Sequence, residues 1–93
     1  MAISSVYKEA LNAAQNDPQM QAALGTPIDA GVFVTGSMRT QGISGDASLN
    51  IPIHGPKWRG TLYDSARREN GEWVFYTLAV EVDSTGELIT ING

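Results

Sequence analysis

A single histidine, His54, stands in a glycine- and proline-bearing turn of a chain that has no cysteine. An imidazole can move a proton or ligate a metal. A metal site needs three or four converging ligands, however. Asp46, the acid on the strand leading to His54, is assigned to the opposite face, and no thiolate is present to help. His54 is therefore read as structural or solvent-exposed, with no metal and no cofactor. Nucleophilic catalysis fares no better. A Ser-His-Asp set can be spelled from the letters, but no Gly-x-Ser-x-Gly elbow joins a strand to a helix. Gly36-Ser37 and Ser44-Gly45 fall in a strand-to-strand connection instead. Glu81 and Asp83 are two apart and could share a strand face, as paired acid–base carboxylates must. They run into a turn open to solvent. No catalytic residue is assigned, and the chain is read as not an enzyme.

Two glycine-containing loops, Gly42-Ile43-Ser44-Gly45 and Gly55-Pro56-Lys57-Trp58-Arg59-Gly60, invite a phosphate-cradling reading. Neither leads into a helix, so the free N–H groups and dipole of a helix N-terminus are missing. Glycines that permit tight turns explain them better. Lys57-Trp58-Arg59 is the segment with the most to offer a partner. An indole between two cations suits a lipid headgroup layer or a protein interface, where Trp and Arg concentrate binding energy. The competing placement folds Trp58 onto the sheet as core. Trp73, which opens a strand after a tight turn, is assigned to the core.

Charge excludes one class of partner. The net charge is −4 with only six Lys and Arg, whereas phosphate-backbone binding runs on clustered cations, so no nucleic-acid partner is expected. Lys57, Arg59, Arg67 and Arg68 fall in one stretch, and Glu69, Glu72, Glu81, Asp83 and Glu87 follow without a basic residue among them. One basic and one acidic face would result if each stretch gathered on one side; ordinary solvated strand faces are the simpler reading. No run of about 18 apolar residues is present to span a bilayer, and no signal-peptide core appears.

The elements that must position these residues follow from periodicity. Ser4 or Ser5 suits a helix N-cap, and Tyr7, Ala10, Leu11 and Ala14 then make one apolar stripe at helical spacing. Asn16-Asp17-Pro18 interrupts it. Asp17 caps a second helix, Pro18–Leu24, whose first position tolerates proline, with Met20, Ala23 and Leu24 facing inward and Gly25 ending it in a left-handed conformation. Beyond Pro27 the period becomes two. Ile28 to Thr35 reads as a first strand and Gly36 to Gly45 as a turn region. Asp46 to Ile53 alternates, with Ala47, Leu49, Ile51 and Ile53 on one face and Asp46, Ser48, Asn50 and Pro52 on the other. Pro52 lacks an N–H and marks a sheet edge or strand end. A third strand covers Trp58 to Arg68. Asn70-Gly71 supplies the positive φ angles of a tight hairpin. The fourth strand, Glu72 to Val82, puts Val74, Tyr76, Leu78, Val80 and Val82 on one face. Asp83 to Gly86 turns, and Glu87 to Ile91 ends the sheet.

Helices first and strands afterwards define an α+β domain. The expectation is one domain, 1–93, with helices over about 4–24 and a mostly antiparallel meander of about five strands over about 28–91. The helices cover one face of that sheet.

The stretch from Leu24 to Ile91 resembles the family of the mitochondrial cytochrome c oxidase assembly factor and the related regulatory subunit of the inner-membrane presequence translocase. Bacterial proteins of the family exist, and the chain reads as one of them. The resemblance is carried by Leu24-Gly25-Thr26-Pro27-Ile28, by Gly31 and Gly36, and by Gly45-Asp46-Ala47-Ser48-Leu49-Asn50-Ile51-Pro52-Ile53. His54-Gly55-Pro56-Lys57, Gly60-Thr61-Leu62 and Gly71-Glu72-Trp73 complete the order. Two departures stand out. Family members usually carry an N-terminal transmembrane helix before this domain, and none is present here. Trp58-Arg59 follows the Gly-Pro-Lys turn where a small residue is usual.

The resemblance implies a non-enzymatic module that docks on a membrane protein complex, with respiratory-chain or translocase subunits as the partner. Lys57, Trp58 and Arg59 are the expected partner-binding residues. Attachment to a membrane would come only through a missing N-terminal segment or a bound complex, on a surface facing the periplasm or its equivalent. The alternative is a small apolar-ligand-binding domain with a sheet–helix cavity lined by Leu49, Ile51, Leu62, Tyr76 and Leu78.

Overall fold

The computed structural model describes residues 2–91, with side chains from Val6 onward. Two helices, α1 (Ala2–Asn16) and α2 (Pro18–Leu24), precede six strands: β1 (Asp29–Ala30), β2 (Thr35–Gln41), β3 (Ser44–His54), β4 (Arg59–Glu69), β5 (Glu72–Val82) and β6 (Leu88–Thr90). All strand pairs are antiparallel in the order β1-β3-β4-β5-β6, and β2 joins β3 on the same side as β1. This is an α+β fold with its helices against one face of the sheet.

The helical half follows local chemistry. α1 begins at Ala2, which places Ser4 and Ser5 inside the helix rather than before it; what their side chains do lies outside the described residues. Its buried stripe is Val6, Ala10 and Ala14, with Tyr7 and Leu11 half-buried at its border. Asp17 caps α2, its carboxylate accepting the Met20 N–H at 3.1 Å, and Pro18 follows at the first turn. Met20 and Leu24 are fully buried, and Ala23 is half-buried. Gly25 takes a positive φ of 84° but an extended ψ of 174°, so its N–H closes on the Gln21 carbonyl without the expected left-handed geometry.

The expected first strand is broken in two. Gly31 N–H donates to the Pro52 carbonyl at 2.7 Å, and Pro52 has no N–H to return. The ladder stops there. Asp29 lies opposite His54 and Thr35 opposite Asn50, so this side spends two more residues than β3 over the same span. The surplus bulges outward, leaving Val32 and Phe33 87% and 83% exposed. Pro52 is thus neither at a sheet edge nor at a strand end. It sits inside β3, with its missing donor facing the gap between β1 and β2. The expected turn region Gly36–Gly45 is mostly strand β2, turning only at Gly42-Ile43. Gly36 has φ 142°, and a Cβ there would overlap the Ser48 carbonyl oxygen, so its glycine reflects close strand approach.

β3 alternates as its sequence demands, with Ala47, Leu49, Ile51 and Ile53 buried. β5 does not. The β4–β5 register shifts between Ser65, opposite Thr77, and Ala66, opposite Phe75, leaving Tyr76 as an extra residue. A bulge of one residue exchanges the two faces. Trp73 and Phe75 therefore pack against the core, while Val74 and Tyr76 are 41% and 57% exposed. Val80 and Val82, beyond the bulge, are buried as expected. Asn70 and Gly71 turn the hairpin with φ of 52° and 82°.

Candidate functional site

The Lys57-Trp58-Arg59 turn is held against the end of α2. Lys57 N–H donates to the Leu24 carbonyl at 2.8 Å, and Trp58 N–H reaches the same oxygen at 3.4 Å. The last carbonyls of a helix have no intrahelical donors, so this turn acts as their cap. Gly55 permits the approach, because a Cβ there would overlap the Leu24 carbonyl oxygen and come within 2.8 Å of the Gly25 oxygen. The consequence is a rigid base under an exposed indole. Trp58 is 56% exposed, which removes it from the core. Lys57 Nζ donates to the Ala22 carbonyl at 3.4 Å, and Arg59 Nε lies 3.8 Å from Asp83 Oδ2. Both contacts are long and exposed, and surface pairs of this kind hold a side chain only weakly.

The basic stretch does not make a basic face. Lys57 and Arg59 lie at one end of β4 and Arg67 and Arg68 at the other, and a strand of this length spans about 36 Å. Arg67 instead lies across from Asp46, which lies across from Arg39, and stacks its guanidinium 5.2 Å from the Tyr76 ring. Of the acids, Glu81 accepts the Tyr63 hydroxyl at 3.1 Å, and Glu69 accepts that of Tyr76. These acids hold tyrosines on an exposed face.

His54 ends β3, exposed, opposite Arg59 on one side and Asp29 on the other. Asp46 is not on the opposite face. Eight residues along an unbulged strand return to the same side, and it is the length of that run, about 26 Å, that separates the two. Among the described residues no three His, Asp or Glu side chains converge on one point.

The expected apolar-ligand cavity does not form. Ile51 and Leu62 are fully buried in continuous core and Leu49 nearly so, while Tyr76 is on the helix-free face because of the β5 bulge. A cleft of about 350 Å³ does exist, between α1 and β2, but it shares only Leu49 with that set. Tyr7, Val34, Gly36 and Met38 contribute to its walls.

The residue that sequence reasoning missed is Asp64. It occupies the inward register of β4 between Leu62 and Ala66, and is 1% exposed. Among the described residues neither of its carboxyl oxygens has a hydrogen-bond partner. Burial first, and the negative charge of Glu9 second, push its pKa up to about 7. The signal was present: an acid between Leu62 and Ala66 at the even positions of a strand, where Gly60, Leu62 and Ala66 are small or apolar and only Arg68, near the strand's end, is also charged.

No helix among the described residues is long and apolar enough to cross a membrane. No curated protein and no solved structure matches the chain. A family model does match, and it takes in both helices as well as the strands on which the sequence resemblance rests. Across residues 1–92 the chain fits the model described as cytochrome oxidase complex assembly protein 1, and it belongs to that family.

Proposed function

We propose that this domain works without catalysis, as a docking module in cytochrome oxidase assembly, and that Lys57, Trp58 and Arg59 carry the contact with its protein partner. Family membership supplies the process. The observation that carries the surface is Trp58, an indole 56% exposed on a turn whose backbone is fixed to α2. An interface anchor is favoured by large contact area and little conformational freedom to lose on binding. A tryptophan on a pinned turn has both. Its neighbours Lys57 and Arg59 are only loosely engaged within the chain, so their cationic groups are free to meet carboxylates of the partner.

Affinity purification of the tagged protein from gently solubilised membranes of its source tests the proposal. Oxidase subunits or oxidase assembly intermediates should copurify with the wild type. They should be lost when Lys57, Trp58 and Arg59 are changed together to Ala, while the variant's thermal midpoint stays close to that of the wild type. Recovery of the same subunits with the triple variant would remove these residues from the interface.

A further inference from the structure

Asp64 lies where an ionised carboxylate is least tolerated. Its cross-strand neighbours are Leu49 on β3 and Leu78 on β5, and α1 is the helix packed on β4 and β5. Among the described residues no cation forms an ion pair with Asp64. α1 brings Glu9, whose charge opposes ionisation of Asp64, together with exposed Lys8 and half-buried Tyr7, which lines the cleft beside β2. The inward positions of β3 and β5 (Ala47, Leu49, Ile51 and Ile53; Trp73, Phe75, Leu78, Val80 and Val82) carry no titratable group. On β4 itself, Arg68 shares the inward register, but its Nε is also buried without a partner, and no ion pair joins it to Asp64.

Among the described side chains of α1, Val6, Ala10 and Ala14 are fully buried, two of them offering only a methyl group, while Tyr7, Leu11 and Ala13 are half-buried against the core. Burial energy scales with apolar area, so the described part of α1 is held less firmly than the strands are held to one another. The helix has no acid in its first turn and no base in its last to favour its own dipole. The sheet beneath is held differently, by strands β3, β4 and β5 of 11 residues each, paired along nearly their whole length. Segments with few buried apolar contacts open before the rest of a fold.

We propose that α1 is a pH-dependent cover on the sheet: it lies over β4 while the Asp64 carboxyl is protonated, and it lifts when that carboxyl ionises and takes up water. Opening gives the carboxylate the solvation that the closed arrangement denies it, and it leaves the paired strands intact. What becomes uncovered is the apolar strip around Asp64, formed by Leu49, Leu62 and Leu78.

Amide hydrogen exchange of the whole chain tests this, measured from pH 5 to pH 8 and corrected for intrinsic exchange rates. The opening equilibrium of the α1 amides should rise roughly a hundredfold over that range, as expected when an acid titrating near 7 in the closed form takes its ordinary pKa in the open one. Amides of β3 and β4, which exchange through global unfolding, carry the same linkage but should open far more rarely than those of α1 at every pH. In Asp64→Asn the α1 opening should lose its pH dependence. If that variant fails to fold because its amide is left unsatisfied, Asp64→Leu removes charge and polar atoms together and is compared in the same way. The proposal is overturned if α1 protection does not change with pH. It is equally overturned if α1 amides show the same opening free energy as the sheet amides, so that both open only in global unfolding, or if the foldable variant keeps the wild-type slope.

Discussion

Replacing Gly55 with Ala tests how the proposed docking turn is built. The added methyl would overlap the Leu24 carbonyl oxygen and lie 2.8 Å from that of Gly25. Both are backbone atoms at the end of α2 and cannot swing aside as a side chain could. Forcing an extra carbon into such a contact costs about 1–3 kcal/mol. The displaced turn also loosens the Lys57 N–H bond to the Leu24 carbonyl, worth about 1 kcal/mol net. The sum, ~2–4 kcal/mol, is a large share of the ~5–14 kcal/mol expected for a chain of this length. At ~4–8 °C per kcal/mol, the thermal midpoint should fall by roughly 10–30 °C. Urea unfolding followed by tryptophan fluorescence gives the same quantity independently. Gly31→Ala is the control, because its Cβ would meet ring carbons of Pro52 at 3.2 and 3.4 Å, a contact that a small shift relieves. A Gly55→Ala protein within about 0.5 kcal/mol of the wild type would refute the close packing of turn on helix.

Two further outcomes are expected. Asp64 has a folded pKa raised to about 7 from an ordinary 3.8, so the folded chain binds more protons than the unfolded chain between those values. Stability from this group is therefore greatest at low pH and is lost as pH rises through 7, with about 2.5 kcal/mol of the loss falling between pH 5 and pH 8. Asp64→Leu should gain on the wild type by that amount over the interval, read from urea midpoints at the two pH values; an unchanged difference would show that the carboxyl ionises freely in the folded state. Asp17→Ala should lower stability by about 1 kcal/mol through loss of the bond to the Met20 N–H, and Asp17→Asn should restore most of it in the same assay.

The features legible in the sequence are those set by neighbouring residues. Asp17-Pro18 starts α2, because a side-chain acceptor and a missing N–H both suit a helix entrance. Asn70-Gly71 closes the β4–β5 hairpin, because both residues tolerate positive φ. The alternation from Ala47 to Ile53 places the core face of β3, because a strand side chain changes sides with every residue. An α+β arrangement follows once such elements are in order.

Tertiary pairing decided the rest. Val32 and Phe33 look like strand residues, yet they bulge outward just past Gly31, whose carbonyl gets no return donor from Pro52 on the adjacent strand β3. Val74 and Tyr76 keep a sound alternation with Val80 that the bulge at Tyr76 overrides, and no residue in β5 announces that bulge. Trp58 is exposed because its turn is clasped to Leu24, a contact between residues 34 positions apart. Asp64 is buried because its register is fixed by Leu49 and Leu78 on either side, so a polar residue follows its apolar neighbours inward. Local chemistry chooses helix, turn and strand; which side a strand residue faces, and whether a partner awaits it there, depends on cross-strand register, which only the assembled sheet defines.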